Sequence, residues 1–69
     1  MAQQENISRK DLSFLGIDYW DRPVYEHRNG KLFKDITLKG TDKNIPDVLN
    51  DVADNTFEGE PNNPYNVID

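Results

Sequence analysis

The chain has 69 residues, a net charge of -5, 35% hydrophobic residues and no cysteine, which bounds one small domain without disulfides or thiolate metal sites. Such a domain buries only about 60% of the surface its unfolded chain exposes, and its three Tyr, three Phe and one Trp argue against disorder throughout. Residues 1–40 hold seven Lys/Arg and six Asp/Glu, whereas residues 41–69 hold one Lys and seven Asp/Glu; an acidic half of this kind repels nucleic-acid phosphates and attracts basic protein surfaces.

Residues 1–6 are polar and read as a flexible N-terminus, followed by a single α+β domain over 7–58 and an acidic, Pro/Asn-rich C-terminal arm over 59–69. The opening "MAQQENISRKDLSF" lacks the apolar core of a secretory signal. No apolar run approaches the ~20 residues that span a bilayer, so a cytoplasmic protein without membrane contact is expected. "SRKDLSFLG" predicts a short helix near 8–15. Ser8 would cap it, Asp11 would suit its positive end, and Gly16 would stop it.

"IDYWDRPVYEHRNGKLFKDITLKG" predicts the structural centre, a β-hairpin with strands near 22–27 and 31–38. Asn29-Gly30 between apolar and aromatic runs is a strong turn signal. A two-residue turn would set Arg28 beside Lys31. A three-residue loop, Arg28-Asn29-Gly30, instead sets Tyr25 opposite Phe33, a pairing worth roughly 0.2–1 kcal/mol, and is the register expected. Pro23 cannot donate to a ladder and should begin its strand or lie on an edge.

"IPDVLNDVADN" carries apolar residues at 45, 48, 49 and 52, which predicts a second helix near 45–53 with Asn44 as cap and Pro46 in the first turn. Asp51 and Asp54 oppose the dipole at its far end. Beyond it, "FEGEPNNPY" reads as an irregular arm anchored by Phe57, with Glu58 and Glu60 exposed.

No catalytic constellation emerges. His27 is the only histidine, and general acid–base work needs a partner within hydrogen-bond reach. The carboxylates do not follow the calcium-loop pattern, and neither a phosphate loop nor zinc spacing is present. The expectation is no catalytic activity, no cofactor and no metal. Direct nucleic-acid binding is not expected either, because the basic residues are interleaved with carboxylates and form no stripe. "DYWDRPVY" concentrates the residue types of binding hot spots, although the same aromatics could be the core of a domain short of aliphatics. The candidate partner-binding residues are Tyr19, Trp20, Arg22, Tyr25, Glu58 and Glu60, for an unidentified protein with a basic surface. An alternative is an acidic DNA mimic that inhibits a basic nucleic-acid-binding protein, using Asp42, Asp47, Asp51, Asp54, Glu58 and Glu60.

The succession "GIDYWDRPVY", "NGKLFKDI" and "NTFEGEPNNP" over residues 16–64 resembles a small domain of the large polyvalent protein-associated type, found beside larger polyvalent proteins of phages, plasmids and conjugative elements. The resemblance implies a mobile-element accessory protein without an assigned activity, and none of its anchor motifs carries a catalytic residue across. The function expected from the sequence is a small non-enzymatic protein-interaction module.

Overall fold

In the computed structural model, which describes residues 5–69, six strands form one sheet: β1 (Glu5–Ser8), β2 (Leu12–Ile17), β3 (Pro23–His27), β4 (Leu32–Lys34), β5 (Val48–Val52) and β6 (Pro61–Ile68). Their spatial order is β1-β6-β5-β4-β3-β2. Strands β2 to β6 form an antiparallel meander, and β1 adds to β6 in parallel. The two edge strands, β1 and β2, are consecutive in the chain and joined only by the three-residue 3-10 turn Arg9–Asp11. Six flat strands would hold their edges roughly 24 Å apart, farther than the ~14 Å that such a link spans when extended. The sheet therefore curls into a half-barrel that draws its two edge strands, β1 and β2, toward each other.

The inside of the curl holds the core: Leu12, Tyr25, Phe33, Leu49, Tyr65 and Val67, with Ile7, Phe14 and Ile45 packed against it. Edge-to-face rings organise it, Phe33 on Tyr65 with centroids 5.0 Å apart and Phe14 on Tyr25 at 5.6 Å. Asp51 shares this inner side through its place opposite Phe33. It accepts from Tyr65 Oη at 3.3 Å, and that hydroxyl in turn accepts from Lys31 Nζ at 2.9 Å. The Tyr65 hydrogen bond raises the Lys31 pKa against the opposing effect of burial, with the Asp51 charge adding to the rise.

The α+β expectation fails, and the two predicted helices are strands. Residues 8–15 form the end of β1, the 3-10 turn and most of β2; Ser8 makes no side-chain cap. Leu12 and Phe14 alternate with exposed Ser13, the period of a strand, and Gly16, at φ +153°, lies at a bulge opposite Val24 and ends no helix. Residues 48–52 form β5 because β4 and β6 supply a ladder on both sides, whereas a short helix with Asp51 and Asp54 at its negative end has little to hold it.

The expected hairpin register is present. Tyr25 faces Phe33, His27 N–H donates to Lys31 O at 2.8 Å across the loop, and Gly30 has φ +94°. The second strand stops at Lys34, short of residue 38, because Asp35 turns the chain out of the sheet. The irregular C-terminal arm is likewise a correction: residues 61–68 are an eight-residue strand between β1 and β5, with Tyr65 and Val67 buried. Glu5 and Asn6, placed in the flexible N-terminus by sequence, belong to β1, and residues 1–4 of that segment lie outside the described residues.

Candidate functional site

All three residues of β4 are buried, so the outer side of the sheet is also covered there. The cover is the segment between β5 and β6. Phe57, half-buried, lies over Gly16, where a Cβ would stand 3.5 Å from its ring. Gly59 fits against Val52 so closely that a Cβ would collide with that side chain. Val24, Leu32 and Val52 are buried yet stand apart from the inner cluster, as expected of a second, thinner layer.

Two buried aspartates control the loops at this end of the meander. Asp18 opens the loop between β2 and β3. Its Oδ1 accepts from the backbone N–H of Trp20 (2.9 Å) and of Arg22 (2.8 Å), and its Oδ2 from Arg22 Nε (2.9 Å) and Lys34 Nζ (2.7 Å). Lys34, fully buried, also donates to Gly59 O at 2.6 Å, so one ammonium ties the first loop to the covering segment. Burial raises the Asp18 pKa, but the hydrogen bonds from Lys34, Arg22 and Trp20 outweigh it and hold the carboxyl at about 2.

Asp35 opens the loop between β4 and β5. Its Oδ1 accepts from Thr37 N–H and Thr37 Oγ1, and its Oδ2 from the N–H of Lys39 and Gly40. The loops are coupled, since Asp35 N–H donates to Pro23 O at 3.0 Å. Each holds a non-glycine residue at positive φ, Asp21 at +63° and Leu38 at +63°. Aspartate tolerates that conformation; a leucine does not adopt it freely, and it persists where the surroundings over-determine the backbone.

These braced loops carry exposed apolar side chains. Tyr19 is 84% and Trp20 62% exposed, with Ile17, Ile36 and Leu38 each at least half exposed. The two rings stand edge to face, 6.0 Å apart and at 89°. Glu58 Oε1 accepts from Tyr19 N–H at 2.7 Å, which adds the covering segment to the same surface.

Of the residues singled out from sequence, Tyr19, Trp20 and Glu58 are brought together here, and Glu60 lies two residues beyond Glu58. Arg22 stands at the base of the turn, committed to Asp18 at 2.9 Å. Tyr25 is not part of the surface: it is fully buried, and its hydroxyl donates to Thr41 O at 2.8 Å. Burial, with the charges of Asp35 and Asp42, pushes its pKa up to about 12. Of the six carboxylates of the mimic alternative, Asp51 is buried against Tyr65 and Asp47 pairs with Arg9 at 2.6 Å, while Asp42 belongs to the second loop and Asp54, Glu58 and Glu60 to the covering segment.

Asp18, Lys34, Asp35, Ile17, Ile36 and Leu38 are absent from the sequence-based set. Asp35-Ile36-Thr37 carries the signal of an Asx turn, in which an aspartate accepts from the backbone two residues on; nothing local marks Lys34 as buried. Among the described residues, no group of three or more His, Asp or Glu is placed to hold a metal ion, and no helix is long and apolar enough to cross a membrane. No family model matches the chain, and neither does any curated protein or solved structure.

Proposed function

We propose that this chain is a small, non-enzymatic, cytoplasmic interaction module that offers the Tyr19–Trp20 turn to a protein partner. A role as an accessory of a phage or other mobile element accords with the resemblance of its "GIDYWDRPVY" and "NGKLFKDI" segments. One observation carries the reading: the most exposed aromatic residues of a small, core-poor domain sit on a turn that a buried carboxylate clamps through four donors. Tyr and Trp are the residues most enriched among binding hot spots, and a turn already fixed loses little entropy when it docks.

The test is the variant Tyr19→Ala/Trp20→Ala. As both rings are exposed, its urea midpoint should stay near that of the parent chain, within the ~0.5 kcal/mol typical of surface changes. A partner captured on the immobilised parent from cells carrying the gene should be lost from the variant. A variant that keeps the partner, or that is destabilised by the ~3–5 kcal/mol of a core aromatic deletion, overturns the reading.

A further inference from the structure

The aromatic turn has a distinct charge environment. Asp21 follows Trp20 directly, Glu58 is bonded to the Tyr19 N–H, and Glu60 lies just past the Gly59 carbonyl that Lys34 holds. None of these three carboxylates makes an ion pair among the described residues, and the one cation within the turn, Arg22, is spent on Asp18. The covering segment and β6 together, residues 53–69, contain no Lys or Arg at all. Lys39 and Lys43 lie on the second loop, beyond Leu38 in the chain. Tyr19 and Trp20 meet at 89°, so the rings form a corner with π-faces open to solvent.

Resting on the reading of this turn as a contact surface, we infer that its partner presents an arginine-bearing basic segment, with a guanidinium seated on the Tyr19–Trp20 corner and opposed by Asp21, Glu58 and Glu60. A cation within about 6 Å of a ring centroid is drawn to the negative face of the ring, Trp being the best platform, and Arg is the more frequent guest. The planar guanidinium can stack on indole while its edge donors reach a carboxylate in a fork geometry. Glu58 is already fixed by its bond to Tyr19 N–H, so it holds its place before the guest arrives. Ile17, half exposed two residues before Tyr19, suits the aliphatic stem of such a segment.

Trp20 is the only tryptophan, so tryptophan emission, excited where tyrosine does not absorb, reports on this corner. The experiment titrates the full chain with a capped arginine–glycine decapeptide, and separately with its glutamate–glycine counterpart, in low salt and in about 0.5 M salt. A saturable change in Trp20 emission is expected with the arginine peptide and none with the glutamate peptide. Apparent affinity should fall at least about fivefold in high salt, where exposed charges are screened. Asp21→Asn/Glu60→Gln touches no side-chain hydrogen bond of the fold, and asparagine tolerates the φ of +63° at position 21. It should weaken the arginine peptide at least about threefold with an unchanged circular dichroism spectrum. Adding Glu58→Gln, which keeps the acceptor for Tyr19 N–H, should weaken it further.

Equal responses to the two peptides, no response to the arginine peptide, or a neutralised variant that binds as well as the parent each overturns the inference. Should the inference fail while Tyr19→Ala/Trp20→Ala still loses the captured partner, the contact surface stands and only the cationic guest is refuted. If that variant keeps the partner, the surface itself is wrong.

Discussion

Replacing Lys34 with methionine tests the central claim about how the loops are held. The side chain keeps its length and loses its charge. Two bonds go with it, to Asp18 Oδ2 at 2.7 Å and to Gly59 O at 2.6 Å, in a site where both side chains are fully buried. Removing one partner of a buried ion pair costs about 3–5 kcal/mol, because the other charge is left uncompensated. Arg22 remains on Asp18 at 2.9 Å, which places the pair loss at the low end of that range, about 3 kcal/mol. The orphaned Gly59 carbonyl adds about 1 kcal/mol. A domain of this length has only roughly 3–10 kcal/mol in total at the usual 0.05–0.15 per residue, so Lys34→Met should sit near the edge of folding. Urea unfolding followed by circular dichroism near ~15 °C, where small domains are most stable, measures the loss. The double variant Asp18→Asn/Lys34→Met removes both charges of the Lys34–Asp18 pair, leaving only Arg22 without its carboxylate, and should be less destabilised than the two single variants added together, by roughly 1–3 kcal/mol. A Lys34→Met chain within 1 kcal/mol of the parent, or a strictly additive double variant, would refute the idea that this ion pair ties the aromatic turn to the covering segment.

The depressed pKa of Asp18 makes stability pH-dependent in a defined window. With the carboxyl at 3.8 unfolded and about 2 folded, the unfolded chain takes up its proton first, so the contribution, about 2 kcal/mol, is present above the unfolded value and lost as pH falls through the folded one. Asp18→Asn should flatten the stability profile between roughly pH 5 and 2, read from urea midpoints at each pH; an unchanged slope would contradict the assignment. Deleting residues 61–69 removes the strand that lies between β1 and β5, with the buried Tyr65 and Val67. That truncated chain should show no cooperative unfolding transition, and a sigmoidal transition at the parent midpoint would contradict the topology.

What the sequence determined by itself was local. Asn29-Gly30 specified a hairpin, and the choice between an Arg28–Lys31 clash and a Tyr25–Phe33 pair selected the observed register, because neighbouring strands settle their pairing over a few residues. Pro23 begins its strand for an equally local reason, its missing N–H. Phe57 could be singled out as an anchor because an aromatic in a polar, Gly- and Pro-rich stretch has few other uses.

The segments around 8–15 and 45–53 were ambiguous at that level. Four apolar positions at spacings such as 45, 48, 49 and 52 fit one face of a helix, yet the burial of Leu49 and Asp51 on the inner side shows the chain alternating as a strand. The decision rested with ladder partners elsewhere in the chain: Tyr65 for Leu49, Ile68 for Ser8, and Tyr25 for Phe14. Tertiary structure likewise sorted the aromatics of "DYWDRPVY", turning Tyr25 into the core and leaving Tyr19 and Trp20 in solvent. It also buried Lys34, a residue whose type predicts exposure, since only the folded curl sets Asp18 and the Gly59 carbonyl on opposite sides of one ammonium. Local chemistry can choose a turn. Which strands meet, and therefore which charges are buried and which rings are displayed, depends on contacts between residues that the chain keeps far apart.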